Sequence, residues 1–269
     1  PDPSTPPPPE PAPRPLPDFS TPPDPGDAPP AAAGNPLREF YEDPEVPASS
    51  GPDRAYRQAE MLADVLRSAT SPARIVDIGC GDGFAMAVAA DRNGGHRFVG
   101  IDWSAGSLAQ ARRRGLAVLR AGVDRPGLPI ASGSADVVIM SELIEHLVDT
   151  DFAIEEVYRV LRPGGSLLLS TPNLAAWYNR ALLALGVQPV FSEVSLRSVF
   201  GRPGSQVAGH LHMFTRRALV EFLAAYRLEC VQVAGARYHD VPAVLRPLDR
   251  AFCHWPAAAS ILLVHARKA

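Results

Sequence analysis

The sequence predicts an α/β protein built on a doubly wound, mostly parallel sheet of seven strands. Three observations carry that expectation. Short β-branched runs alternate with amphipathic helical segments from residue 52 to the end, which is the pattern of repeated βα units. The run Ala135-Asp136-Val137-Val138-Ile139-Met140 is almost unbroken in apolar residues, as in a strand buried on both faces. The run Arg74-Ile75-Val76-Asp77-Ile78 enters a turn with glycine at every second position, Gly79, Gly81 and Gly83. Glycine serves where a backbone turns sharply or a ligand must come close.

The elements follow in order. A helix is expected from Pro52-Asp53 to Arg67, with Tyr56, Ala59, Leu62, Val65 and Leu66 at helical spacing. Strand 1 covers about 73–78 and the next helix about 84–92. Strand 2 is His96 to Asp102. Ser104 is a good N-cap for a helix that closes on Arg112-Arg113-Arg114 before Gly115. Those arginines suit the negative end of a helix better than they suit a phosphate clamp. Strand 3 is Leu116–Arg120 and strand 4 is 135–140. A helix over about Thr150–Leu161 has acids at its start and Arg159 near its end. Pro163-Gly164-Gly165 turns into strand 5, Ser166–Ser170. Thr215 caps a final amphipathic helix, and Leu228–Ala234 and Ile261–Ala266 are the last strands, forming a hairpin-like edge around an irregular 235–259.

Two stretches stand apart. Residues 1–36 hold fifteen of the 29 prolines within their first 30 positions. Such a segment lacks N–H donors and apolar area to bury, so a disordered, Pro-rich tail is expected there, with the folded domain at 37–269. It reads as a solvated spacer, or as a ligand for a proline-recognising partner. The segment from 171 to 214 is too long for an ordinary connection and holds Trp177, Tyr178, Phe191, Phe200, His210 and His212. It reads as an insertion that covers a substrate.

Composition excludes several classes. At 269 residues, 46% hydrophobic and 20% charged, the chain is ordinary for a globular protein. Net charge is −3 overall and −4 in the tail, leaving the body near +1, so no field for nucleic acid exists. Cys80, Cys230 and Cys253 are far apart, with no disulfide framework or CxxC pattern, which suits a reduced cytoplasmic setting. No apolar run reaches membrane-spanning length, and no basic-then-apolar leader is visible. Because the chain starts at Pro1, the sequence is expected to be processed or incomplete there.

The glycine pattern is GxGxG rather than GxGxxG, with Phe84 where a dinucleotide site has its third glycine. That weakens a nicotinamide reading, which also needs a pyrophosphate on the helix N-terminus. Asp102 ends strand 2 and lies 19 residues after Gly83, placed to accept hydrogen bonds from ribose hydroxyls.

Five motifs in order then carry a resemblance. They are Val76-Asp77-Ile78-Gly79-Cys80-Gly81-Asp82-Gly83, Gly100-Ile101-Asp102, Leu128-Pro129-Ile130, Ala135–Val138 with Ser141-Glu142-Leu143-Ile144-Glu145-His146-Leu147, and Leu161-Arg162-Pro163-Gly164-Gly165-Ser166-Leu167-Leu168. From about 53 to 267 the chain resembles the class I S-adenosylmethionine-dependent methyltransferases, closest in motif style to small-molecule and quinone O-methyltransferases. The resemblance implies a Rossmann-like fold and S-adenosyl-L-methionine as cofactor. Asp77 with Gly79, Cys80 and Gly81 would hold the methionine end. Asp102 would take the ribose, Trp103 and Asp124 would lie at the adenine, and Ser141 would border the cofactor. Ala121-Gly122-Val123-Asp124 departs from the family's usual Gly-Asp, and Ala135 replaces a common aromatic.

A sulfonium is already a good methyl donor, so alignment and a base are what the protein must add. His146, at the C-terminal rim of the sheet, and His210 are the candidate bases. His212 reads more readily as a structural residue. Glu142, Glu145 and His146 with His210 or His212 are also an oxygen-and-nitrogen set for a divalent cation, similar to the metal site of small-RNA 3′-terminal ribose methyltransferases. The leading expectation is methyl transfer to a small-molecule acceptor, at oxygen. The alternatives are a metal-dependent enzyme acting on an RNA ribose or catechol-like hydroxyl, and a non-catalytic adenosylmethionine-binding scaffold.

Overall fold

A computed structural model describes residues 52–67, 72–123, 126–204, 207–238 and 241–269. The proline-rich tail and Asp124 lie outside the described residues. Seven strands form one sheet, β1 (Arg74–Ile78), β2 (Arg97–Asp102), β3 (Val118–Arg120), β4 (Ala135–Ser141), β5 (Leu161–Pro172), β6 (Leu228–Ala236) and β7 (Ile261–Lys268). Their order across the sheet is β3-β2-β1-β4-β5-β7-β6. The first five are parallel, and β7 runs antiparallel to both β5 and β6. The strand order reverses between β1 and β4, and that reversal opens a crevice at the strands' C-terminal ends.

The helices are α1 (Pro52–Leu66), α2 (Phe84–Arg92), α3 (Ala105–Arg113), α4 (Thr150–Val160), α5 (Trp177–Ala184), α6 (Arg216–Ala225) and α7 (Arg246–Phe252). Both faces of the sheet are covered, and β4 shows why its sequence is continuously apolar. Val138 and Met140 pack with Ala153, Ile154 and Val157 of α4 and Leu219 and Leu223 of α6. Val137 and Ile139 pack on the other face with Ala59, Leu62 and Leu66 of α1 and Ala89 of α2. Each such buried aliphatic side chain contributes about 1.5–3 kcal/mol.

Several boundaries differ from expectation. The α1 face turned inward is Ala55, Gln58, Ala59, Leu62 and Leu66, while Tyr56 stays 42% exposed beneath the Arg92 guanidinium. Helix α4 ends at Val160, and Leu161 already pairs with Ala135. Pro163-Gly164-Gly165 is therefore a bulge inside β5 rather than a turn before it: the register jumps between Ala135 and Val137. Strand β3 is only three residues long. The region after β5 is not irregular throughout, since α5 forms within it. The connection is pinned at its ends by the bridge between Asn173 and Phe214. A short helix, α7, likewise occupies part of 235–259. Thr215 and Ser104 do cap α6 and α3, each accepting a backbone N–H at 3.2 Å.

Candidate active site

The crevice is floored by the turn between β1 and α2. Gly79, Gly81 and Gly83 all have left-handed backbones, with φ of +74°, +54° and +76°. A Cβ on Gly83 would stand 2.4 Å from Leu116 Cδ1, and one on Gly79 would stand 2.9 Å from Leu143 Cδ2. Conformation and space both demand glycine at these two positions.

The turn's N–H groups point into the protein. Gly79 and Cys80 both donate to the Ile101 carbonyl, at 2.8 and 3.1 Å, and Gly83 donates to the Cys80 carbonyl at 2.9 Å. Gly81 donates to Asp102 Oδ2 at 2.9 Å. Phe84, first in α2, donates to Asp82 Oδ1 at 3.0 Å. Arg114 then locks Asp82, pairing with Oδ2 at 2.8 Å and donating through Nε to its carbonyl at 3.0 Å. So the start of α2 already has its own carboxylate. A pyrophosphate there would meet a negative charge. Sequence reasoning missed this pair, although the arginine run ending at Arg114 was its signal.

Acids dominate the pocket. Asp77 is 3% exposed, and burial, reinforced by the charge of Asp102, pushes its carboxyl up to about 7. Asp102 is also raised, chiefly by burial, although N–H groups of Ser104 and Gly81 favour its charged form. Its Oδ1 takes the Ser104 N–H at 2.8 Å, so each oxygen keeps a lone pair for a ligand hydroxyl. Cys80 lends the cradle its backbone alone, since its thiol packs toward Gly100, where a Cβ would lie 2.6 Å from the sulfur. The Trp103 carbonyl is held by Arg120 Nε at 3.0 Å.

Across the crevice, the end of β4 gathers the remaining candidates. Ser141 Oγ donates to Gln58 Oε1 of α1 at 2.6 Å. Glu142 has φ +48°, a left-handed conformation unusual outside glycine. A 3₁₀ turn, Ile144–His146, follows. It places Glu145 where Thr171 donates to its Oε2 at 2.9 Å. His146 and His210 come together, ring centroids 4.7 Å apart. His146 Nδ1 donates to the Gly209 carbonyl at 3.0 Å and His210 Nδ1 to the Phe191 carbonyl at 3.1 Å. Those acceptors fix the tautomers, and His146 Nε2 lies 3.9 Å from Glu145 Oε1. Burial and the neighbouring His210 hold His146 down to about 3, despite the Gly209 bond. His212 does not join the pair, and its backbone N–H donates to the Glu145 carbonyl at 3.0 Å.

The wall facing these groups comes from the long connection. Phe191, at φ +72°, packs edge-on against His210 and Tyr238. Burial pushes the Tyr178 phenol up, so it stays protonated. Glu193 organises this wall. Its carboxylate accepts the N–H groups of Ala208, Gly209 and His210 at 2.6, 2.7 and 3.0 Å and pairs with Arg202 at 3.0 Å. The two side chains are 3% and 6% exposed. Replacing Glu193 with Ala is expected to cost about 3–5 kcal/mol of stability in urea unfolding, because a buried guanidinium loses its partner. Amides 208–210 should then exchange faster with solvent; unchanged protection would show that Glu193 does not hold His210 in place.

Residues 76–169 match the family described as methyltransferase domain. The ubiquinone biosynthesis O-methyltransferase of Chelativorans sp. is 33% identical over 171 residues, 61% of this chain and 59% of that protein. The malonyl-[acyl-carrier protein] O-methyltransferase of Serratia marcescens is 30% identical over 179 residues, 65% of this chain and 62% of that protein. Across the first three curated relatives, the match spans only 49% to 62% of their length. Among solved structures, geranyl diphosphate C-methyltransferase from Streptomyces coelicolor superposes with a TM-score of 0.52 at 19% identity, over 79% of this chain and 77% of that one. That likeness concerns the fold. The family match, the relatives and the β3-β2-β1-β4-β5-β7-β6 sheet agree: residues 76–169 are a methyltransferase domain, and the chain is similar to S-adenosylmethionine-dependent methyltransferases.

Proposed function

We propose that this chain transfers a methyl group from S-adenosylmethionine to a hydroxyl of a small-molecule acceptor. The observation that carries the cofactor half is the charge character of the crevice. Its turn offers no free N–H at Gly79, Cys80, Gly81, Gly83 or Phe84, and its side chains there are Asp77, Asp82 and Asp102. Such a site disfavours a pyrophosphate and suits a ligand with cationic groups and a ribose. S-adenosylmethionine is such a ligand, and when bound it supplies an electrophilic methyl on a sulfonium. Asp77 faces the amine in this reading, Asp102 accepts the ribose hydroxyls, and Ser141 borders the reacting end.

The acceptor half rests on the opposite wall. Tyr178, Phe191, Tyr238 and the His146–His210 pair offer aromatic surface with a few polar groups, as small-molecule sites do. Oxygen as the acceptor atom is supported by O-methyltransferases among the relatives. In this reading the paired imidazoles take the acceptor's proton at Nε2. With His146 held near 3, transfer comes late, after attack has made the hydroxyl strongly acidic. A pH–rate profile should therefore lack an inflection from His146 near the usual histidine value.

Calorimetry with S-adenosylhomocysteine tests the cofactor half. Without a cation beside it, Asp77 is mostly protonated at about pH 6; an ammonium favours its ionised form. Binding should then release close to one proton, read as a dependence of the heat on buffer ionisation enthalpy. The release should vanish by about pH 8, where Asp77 is already ionised, and in Asp77→Asn. No binding of S-adenosylhomocysteine would sink the cofactor assignment, and no labelled methyl reaching any hydroxylated acceptor in a broad panel would favour a scaffold.

A second reading is carried by one cluster. Donor atoms of Glu145, His146 and His210 all lie within 4.8 Å of one another. Both histidines anchor Nδ1 on carbonyls, which is how metal-binding imidazoles are oriented. These three residues would hold a divalent cation, which would polarise the acceptor hydroxyl. Under this reading a chelator abolishes turnover and Mn²⁺ or Mg²⁺ restores it. Full turnover in chelator ends it.

A further inference from the structure

We propose that the face formed by α5 and the 241–260 segment docks on an anionic lipid surface. Val244 is 82% exposed, Leu185 77% and Trp255 60%, and Leu183 and Leu248 are exposed as well. Scattered apolar side chains on a surface are ordinary, but a group of them on joined elements marks an interaction site.

The two segments are joined by Trp177, the first residue of α5. Its Nε1–H donates to Asp249 Oδ1 at 3.1 Å, and its backbone N–H donates to the Ala258 carbonyl at 2.9 Å. Its ring stacks on Phe252 at 5.6 Å, and Phe252 stacks on Trp255 at 6.5 Å. Arg180, one turn along α5, donates to the Ala257 carbonyl at 3.0 Å. Leu183, one turn beyond Arg180, continues that side of the helix. Helix α5 also carries Tyr178, so the face and the acceptor wall share an element.

Charge says what covers this face. Within 173–212 and 241–260 the acids are Glu193 and Asp249, 3% and 1% exposed. Glu193 is spent on Arg202 and three amides, and Asp249 on Trp177 and Ser260. Asp240, at the start of the second segment, lies outside the described residues. Arg180, Arg246 and Arg250 are exposed and form no ion pair among the described residues. Arg180 and Arg246 donate to backbone carbonyls instead, so their charge is not neutralised.

A protein partner would answer such arginines with placed carboxylates and such side chains with matching pockets. A bilayer has neither. It takes protruding apolar groups below its headgroups, holds tryptophan at their level and draws arginine to its phosphates. Val244 and Trp255 beside Arg246 and Arg250, with the acids turned inward, match that surface.

The test is sedimentation of the full chain with phosphatidylcholine vesicles, with and without phosphatidylglycerol. The chain should partition onto the anionic vesicles, less so onto phosphatidylcholine alone, and added salt should weaken the partitioning. Arg246→Ala with Arg250→Ala should lower it by about tenfold or more, and Val244→Asp by a similar factor. Brominated phosphatidylcholine in the anionic vesicles should quench tryptophan emission, and Trp255→Phe should remove most of that quenching while the chain still sediments. All these positions are exposed, and thermal unfolding confirms that each variant folds. No partitioning onto anionic vesicles would overturn the proposal, as would partitioning that neither variant changes. A wild-type dimer that Val244→Asp turns into a monomer, without vesicle binding, would make the face a contact between copies and overturn it too.

Discussion

The direction of the N–H groups in the β1–α2 turn is the constraint on which the site depends. Three left-handed glycines let the turn fold back so that its donors face Ile101 and Asp102 rather than the crevice. Asp82, clamped by Arg114, closes the helix start in the same way. A turn built of similar residues can instead present its amides outward and bind phosphate. Here the same backbone material makes a cradle lined by the carboxylates of Asp77 and Asp102. The electrostatic preference for a cationic ligand thus comes from hydrogen-bond direction, not from net charge, which is close to neutral in the body.

That constraint propagates. Asp102 both accepts the Gly81 amide and raises Asp77, so the strand order that sets β2 beside β1 also tunes the acid at the crevice floor. On the other side, β4 ends beside the glycine turn and leads directly to Glu142 and the 3₁₀ turn carrying Glu145 and His146. Two non-glycine residues in left-handed conformations, Glu142 and Phe191, sit on opposite walls of this region. Strain of that kind persists only where the surroundings enforce it. The enforcing contacts for the far wall are those of Glu193, whose carboxylate gathers three consecutive amides and an arginine.

The parts of this architecture legible in the sequence were those encoded by local pattern. Alternating βα units, the apolar β4, the Ser104 and Thr215 caps and the glycine turn all rest on short-range rules, and the structure has them. What escaped was long-range. Arg114 looked like a helix-end charge because its partner, Asp82, is 32 residues earlier. Glu193 carried no motif, since its role depends on a chain that returns 15 residues later. The Pro163-Gly164-Gly165 bulge was hidden because pairing of Leu161 with Ala135 is decided across the sheet. Gln58 did have a signal: a polar side chain at a spacing shared with Ala55, Ala59, Leu62 and Leu66. Reading Tyr56 into that stripe obscured it.

The histidine pair shows how such long-range assembly changes a chemical reading. From sequence, His146 and His210 are two imidazoles of ordinary basicity, each a plausible base. Brought 4.7 Å apart, they cannot both be charged, and burial adds to the penalty on His146. Each also donates Nδ1–H to a carbonyl, which fixes its tautomer and ring orientation. A weak, oriented base is ineffective at removing a proton from a resting hydroxyl. It is effective at receiving one that bond formation has already loosened, or at binding a cation. In the proposed reaction the electrophile therefore acts first and the protein follows, a division of labour that suits a sulfonium methyl donor.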